Sequence, residues 1–133
     1  MSHDHEERAR ALVGTRFRPQ GRNPEIGLDC VGLVLAVFDI APDAVRRNYR
    51  LRGDHGPEIE RELRRFFSRA RGEQRRPGDL MLLAVSADQF HFGICTSAGF
   101  VHADARIGRI VETPRSPPWP VLGTFRKRAQ GAI

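Results

Sequence analysis

The order of apolar and polar positions predicts helices in the first half of the chain and short strands in the second. Residues 4–13 predict a helix, because capping side chains and two glutamates stand at its start. Residues 16–27 are rich in Pro, Gly and Asn and predict a loop. Asp29 then suits an N-cap, and the helix that follows to about Phe38 is apolar nearly all round, which is typical of a buried helix.

The later segments alternate more tightly and predict an antiparallel sheet. A third helix is expected over residues 57–71, where Ile59, Leu63 and the Phe66–Phe67 pair recur at helical spacing. Strands are expected over 80–85 and 109–113, and between them 89–96 and 99–104 are expected to form a hairpin. An extended linker over 115–120 and a final edge strand over 121–128 follow. Helices followed by a sheet predict an α+β fold, in one domain over residues 1–133.

Composition narrows the function only a little. The chain has 133 residues, a net charge of +6 and one lysine, Lys127, so its positive charge is almost all arginine. Arginine suits carboxylate and phosphate, but a coding bias towards arginine explains the excess better than a nucleic-acid surface, and no nucleic-acid partner is expected. No apolar run is long enough to insert into a membrane. No signal peptide is visible at the N-terminus, so synthesis in the cytoplasm is expected.

Cys30 begins the buried helix and is the first candidate for chemistry. The free backbone amides and positive end of a helix favour a thiolate, and the same amides could receive a developing oxyanion. Taken by itself, a small buried cysteine is the more common explanation. The second cysteine, Cys95, is far away in the sequence, so neither a disulfide framework nor a zinc-binding CxxC spacing is present.

Two strand histidines change that balance. Side chains alternate across a strand, so His91, Gly93 and Cys95 share one face. A hairpin loop with an even number of residues sets Gly93 opposite His102 and makes the two histidines diagonal neighbours, whereas a three-residue loop would separate them. The first register predicts a thiol, a histidine base and a second ring that orients the base; the alternative is a pair of hydrogen-bonded structural histidines.

Four segments together resemble the NlpC/P60 cysteine peptidases, in order and spacing, over about residues 14–103: GTRFRPQG, GLDCVGLV, RPGDLMLL and HFGICTSAGFVHA. The form GRNPEIGLDCVGLV is similar to phage-type cell-wall peptidases, including those of gene transfer agents. The resemblance implies a papain-like α+β fold, with the nucleophile helix packed on the sheet. It also implies hydrolysis of peptidoglycan stem peptides at a D-γ-glutamyl–diamino acid bond, without cofactor or metal. The expected setting is the cell wall or periplasm, reached through a phage-like particle whose tail proteins are partners.

Carried over residue by residue, the resemblance makes Cys30 the nucleophile, His91 the general base and His102 the orienting residue. Asp29 is then the cap and a contact to a substrate amine. Two positions depart from the pattern. Phe17 stands for a tyrosine and lacks its hydroxyl, and Val31 stands for a serine, so the recognition of substrate is expected to differ while the reaction type is kept.

Two further functions stay open. The same fold and residues support amidase or acyltransferase chemistry on another substrate, and a non-catalytic tail-assembly or nucleic-acid-binding module could retain a peptidase fold. Cys95 is interpreted as a small buried residue, and Trp119 as a packing plug in preference to a sugar-stacking platform. His3 and His5 could hold a metal but fit a mobile N-terminal segment better, and His55 fits a solvated loop.

Overall fold

The computed structural model describes residues 2–45, 56–71 and 75–128. Its helices are α1 (Ser2–Ala11), α2 (Cys30–Val37) and α3 (Gly56–Arg64). Its strands are β1 (Arg22–Asn23), β2 (Gly27–Leu28), β3 (Phe67–Arg69), β4 (Leu80–Ser86), β5 (Gln89–Cys95), β6 (Phe100–Asp104), β7 (Arg109–Thr113) and β8 (Val121–Lys127). The predicted α+β class is confirmed. Within these ranges, no helix combines the length and the apolar character needed to cross a bilayer.

Six strands form one antiparallel sheet in the order β3-β8-β4-β5-β6-β7. We call its two sides the helix face and the open face. The helix face packs on α2 and contributes mainly aliphatic and phenyl side chains to the main core, among them Leu82, Phe92, Ile94, Val101 and Ile110. The open face carries a smaller cluster of Met81, Leu83 and Phe100, against which Cys95, Trp119 and Val121 pack.

Helix α2 forms where the sequence predicts it. The Asp29 side chain caps the helix by accepting a hydrogen bond from the Gly32 amide (2.8 Å), and Phe38 is the C-cap. Every residue of α2 except Ala36 is buried. A Cβ atom on Gly32 would lie 2.0 Å from the carbonyl oxygen of Gly21. The loop before α2 therefore packs backbone to backbone on its first turn, which fixes the start of the helix.

The expected helix over residues 57–71 is too long. Helix α3 ends at Arg64, and Phe67 begins strand β3, which pairs with β8. Phe67 is 1% exposed and its ring meets Phe38 edge to face, with centroids 5.0 Å apart. Pairing with a strand far along the chain therefore overrides the local helical spacing. As a result β8 lies between β3 and β4, and its prediction as an edge strand is wrong.

The predicted loop over 16–27 contains the short ribbon of β1 and β2. Just before it, residues 14–18 run between β7 and β2. The Phe17 amide donates to the carbonyl of Gly108 (2.9 Å), and on the other side the amide of Leu28 donates to the carbonyl of Arg16 (2.9 Å). This segment therefore extends the sheet beyond β7 and connects it to the start of α2.

Candidate active site

Cys30 is 6% exposed at the first turn of α2, against strand β5. The backbone amides of Phe92, Val31 and Cys30 itself each lower the pKa of this thiol, which agrees with their lying near the sulfur. The pairing of β5 with β6 covers Ile94–Cys95 and Phe100–Val101, so Phe92 lies just outside the paired segment. The thiol is thus held where β5 leaves β6, one residue along the strand from His91.

The β5–β6 hairpin has the register that joins the two histidines. Its loop is residues 96–99, an even number, closed by a hydrogen bond from the Thr96 amide to the Gly99 carbonyl (2.9 Å). The Nε2 atom of His91 lies 3.0 Å from Nδ1 of His102. The two rings meet edge to face, and the His102 ring is buried and stacked on Phe100 with centroids 4.7 Å apart.

This contact has a consequence for the tautomers. Of two neutral imidazoles, one nitrogen must donate and the other accept. If His91 donates through Nε2, its Nδ1 atom keeps a free lone pair, and Nδ1 of His102 accepts. His91 can then take a proton through Nδ1 while His102 fixes its ring, which is the arrangement that a general base requires.

Burial decides the charge states of the resting site. The pKa of His91 is lowered to about 4, first by burial and then by the charge of His102, while Asp104 acts in the opposite direction. Burial, followed by the charge of Asp29, raises the pKa of Cys30 to about 12. The helix amides lower the thiol pKa, as predicted, but burial outweighs them. At neutral pH the site therefore holds a thiol and a neutral imidazole, not the expected thiolate.

Trp119 covers the histidine pair on the open face. Its ring meets His91, His102 and Phe100 edge to face, with centroid distances of 5.8, 5.9 and 6.3 Å. These are the contacts of a packing residue. Which residues Trp119 covers could not be predicted from the sequence, because the prolines on both sides of it indicated only a rigid segment.

The predicted substrate-contacting residues surround the start of α2. Both carboxylate oxygens of Asp29 are engaged, one by Gly32 as the cap and the other by the Gln20 amide (2.9 Å). The ring of Phe17 is half-buried against the main core, and its backbone pairs with Leu28. Val31 is 8% exposed and belongs to the same core. Contact of these residues with substrate stays a prediction.

The other candidates lie apart from this arrangement. Cys95 is half-buried on the open face, and burial raises its thiol pKa. His5 lies in α1 with its ring 4.7 Å from Phe38, so it belongs to a helix and not to a mobile segment. The side chain of His3 and all of His55 lie outside the described residues. Across the described part of the chain, no three His, Cys, Asp or Glu side chains cluster closely enough to hold a metal ion.

A polar network that the sequence did not predict ties α1 to the hairpin of the two histidines. Glu6, which is buried, accepts a hydrogen bond from the Ser97 amide (2.7 Å), and Thr96 donates through its hydroxyl to Glu112 (2.7 Å). Arg10 lies between both carboxylates, at 3.4 Å from Glu6 and 3.1 Å from Glu112. These residues are distant in sequence, so local patterns carry no signal for the network.

These features define an α+β fold of the NlpC/P60 type, in which the helix that begins with the thiol packs on an antiparallel sheet. Two similar solved structures are NlpC1 and NlpC2 from Trichomonas vaginalis. NlpC1 superposes with a TM-score of 0.66 at 15% identity, over 95% of this chain and 45% of that one. NlpC2 gives a TM-score of 0.60 at 18% identity, over 91% of this chain and 45% of that one.

At these identities the likeness shows the fold and not the activity. This chain also spans less than half the length of either solved chain. No model of a protein family matches the sequence, and no curated protein matches it. The chemistry must therefore be argued from the residues at the start of α2 and on the β5–β6 hairpin.

Proposed function

We propose that this protein is a cysteine endopeptidase that hydrolyses peptidoglycan stem peptides between D-γ-glutamate and a diamino acid. The observation that carries the proposal is the 3.0 Å contact between His91 and His102, next to Phe92, whose backbone amide lowers the pKa of the Cys30 thiol. The fold supports it, because NlpC1 and NlpC2 share that architecture. The four segments that resemble NlpC/P60 peptidases supply the substrate class.

The proposed reaction is acyl transfer through a thioester. His91 takes the thiol proton at Nδ1 while the Cys30 sulfur attacks the γ-glutamyl carbonyl carbon, and the carbonyl π electrons move to oxygen. The imidazolium then gives its proton to the leaving amine nitrogen as the C–N bond breaks. A water molecule next loses a proton to His91 and attacks the thioester. The departing sulfur recovers a proton from the imidazolium, which restores the resting pair.

The first turn of α2 suits the charge that develops in this reaction. The Asp29 carboxylate already binds the Gly32 amide, and the Leu33 amide donates to the Asp29 carbonyl (2.9 Å). The amides of Cys30 and Val31 instead lower the pKa of the thiol, which agrees with their lying near the sulfur. Groups fixed there stabilise an oxyanion beside the sulfur without reorganisation. We infer that these two amides contribute to the oxyanion site.

We propose that the protein acts at the cell wall or periplasm as part of a phage-like tail or gene transfer agent, with tail proteins as partners. The form GRNPEIGLDCVGLV, which is similar to phage-type cell-wall peptidases, supports this setting. Tail genes on both sides of its own gene are expected. Immunodetection in purified particles tests the proposal, and particles that form and infect without the chain would contradict it.

Digestion of purified muropeptides, followed by mass spectrometry, tests the reaction. The wild type is expected to release fragments that end at D-γ-glutamate, and Cys30→Ala to release none. Cys95→Ala is the matched control, because it removes the other thiol on the opposite face of the sheet, and it is expected to remain active. Equal cleavage by wild type and Cys30→Ala would reject Cys30 as the nucleophile.

Amidase or acyltransferase chemistry is the second candidate, and two observations favour keeping it. Phe17 offers no hydroxyl beside the start of α2, and Val31 is buried in the core where the resemblance expects a serine. Both departures would change which substrate is recognised, and neither removes the thiol or an imidazole. A panel of peptides, amides and acceptor amines, analysed by product mass, separates hydrolysis of stem peptides from transfer to another acceptor.

A further inference from the structure

Two exposed arginines lie side by side at the far edge of the sheet. Arg16 and Arg109 form an antiparallel bridge, and the hydrogen bonds of 2.9 and 2.8 Å run between the residues that flank the pair on each side. They are therefore a non-hydrogen-bonded pair, in which Cα atoms lie about 4.5 Å apart and side chains come closest. Like charges placed in this way destabilise a sheet.

The pair lies on the open face, which is the face of the two histidines. Arg109 is opposite Asp104 in the β6–β7 register, and residues opposite one another share a face of the sheet. Asp104 lies two residues after His102 on β6, so both side chains are on this face. The charge of Asp104 opposes the lowering of both histidine pKa values by burial, which agrees with a position near the two rings. One row across the sheet thus leads from Asp104, near the histidines, to the arginines.

No acidic side chain in the described part of the chain forms an ion pair with either arginine. Arg109 donates one hydrogen bond to the Gly14 carbonyl (2.8 Å). The nearest acid in the row, Asp104, already binds the amides of Arg106 and Ile107 through one oxygen, at 2.9 and 3.0 Å. Two guanidinium groups are thus adjacent and exposed, and no carboxylate among the described residues pairs with either.

We propose that Arg16 and Arg109 form a binding site for a carboxylate of the substrate, which rests on the proposed function. Guanidinium forks bind carboxylates in a bidentate manner. From Asp104 to Arg16 the row crosses two strand spacings of about 4.8 Å each, which an extended peptide covers in about three residues. A substrate bound next to the histidines can therefore reach the two arginines.

Stem-peptide analogues in which one carboxyl group at a time is amidated test this site. For one of these groups, amidation is expected to lower wild-type kcat/KM about ten- to one-hundred-fold, because a charge-assisted contact is lost. Arg16→Gln is expected to hydrolyse that pair of analogues at equal rates, and Arg16→Lys to retain part of the preference. Arg61→Gln, which removes an exposed arginine from α3, is the matched control and should keep the full preference.

Two results would overturn the proposal. In the first, no amidation lowers kcat/KM of the wild type. In the second, Arg16→Gln lowers kcat/KM equally for the free and the amidated analogues, so that the preference for the free carboxyl group remains. Circular dichroism of each variant checks that the fold is kept, which we expect because Arg16 is exposed.

Calorimetric binding of the same analogues to Cys30→Ala separates this site from the reaction. If the wild type hydrolyses no analogue, the proposed function fails. The site is still supported if the free carboxylate binds more tightly than the amidated analogue and this preference depends on Arg16. If there is no such preference, the site is rejected. A glycerol phosphate oligomer is the competing ligand, since phosphate offers the same chemistry. Binding of the oligomer through Arg16, without any carboxylate preference, would overturn the assignment in favour of a wall-polymer phosphate.

Discussion

The lowered pKa of His91 predicts a specific loss of stability in mild acid. The folded protein holds this pKa at about 4, whereas the ordinary value is 6.5. Below pH 6.5 the unfolded chain therefore takes up a proton that the folded chain refuses, and unfolding becomes more favourable. The contribution of His91 is complete above pH 6.5, and it is lost as the pH falls from 6.5 to 4.

The two pKa values set the size of the effect. Between pH 7 and pH 5, the free energy of unfolding should fall by about 2 kcal/mol through His91 alone. The perturbation that isolates this share is His91→Gln, which keeps a polar side chain but cannot titrate. Urea unfolding of wild type and variant at both pH values, followed by circular dichroism, measures it. Because carboxylates titrate equally in both proteins, only the difference between the two pH dependences is used.

His5→Gln is the matched control, because burial lowers the pKa of His5 by a smaller amount and its removal should change the pH dependence less. The reasoning is refuted if wild type and His91→Gln lose the same stability between pH 7 and pH 5, within about 0.5 kcal/mol. Such a result would mean that the folded protein protonates His91 near its ordinary pKa, and that the resting site carries an imidazolium at mildly acidic pH.

Three other changes test separate parts of the structure. In a Cys95→Ala background, alkylation of Cys30 by iodoacetamide should be slow at pH 7 and rise about tenfold per pH unit, since its pKa is about 12; a rate that is constant near neutrality would indicate a thiolate–imidazolium pair instead. Trp119 is the single tryptophan, so its fluorescence should fall as His91 beneath it becomes protonated towards pH 4, and an emission independent of pH would contradict the contact. Phe67→Ala should lower the free energy of unfolding by about 3–5 kcal/mol in a denaturation curve, whereas a loss below 1 kcal/mol would be inconsistent with a buried start of β3.

The parts of the fold that the sequence predicts correctly are those that depend on neighbours in the chain. Asp29 caps α2 with an amide three residues away, and the hairpin register follows from the length of a short loop. Strand β3 could not be found in this way, because Phe67 pairs with Lys127 in a strand far along the chain. The two phenylalanines at helical spacing suit a strand equally well, and only the partner decides between the two structures.

The same distinction applies to the candidate site. The alternation of side chains along the hairpin predicts that His91 and His102 meet, and their rings lie in contact. Their charge states depend on how deeply each group is buried, and that is a property of the packed core. Trp119 illustrates this, since it lies over the histidines only after the segment 115–120 folds back across the open face.

The burial that fixes Cys30 also determines how the proposed reaction must begin. An apolar helix holds the sulfur in one position, and because the sulfur is buried there, the thiol does not ionise at neutral pH. Proton transfer to His91 must then accompany attack on the substrate, so the imidazolium forms only when a carbonyl is in place. At that moment Nδ1 of His102 accepts from the charged ring, and the Asp104 carboxylate stabilises the charge. A site of this kind keeps its thiol unreactive towards small electrophiles, and its specificity then depends on the groups that bring the substrate to the sulfur.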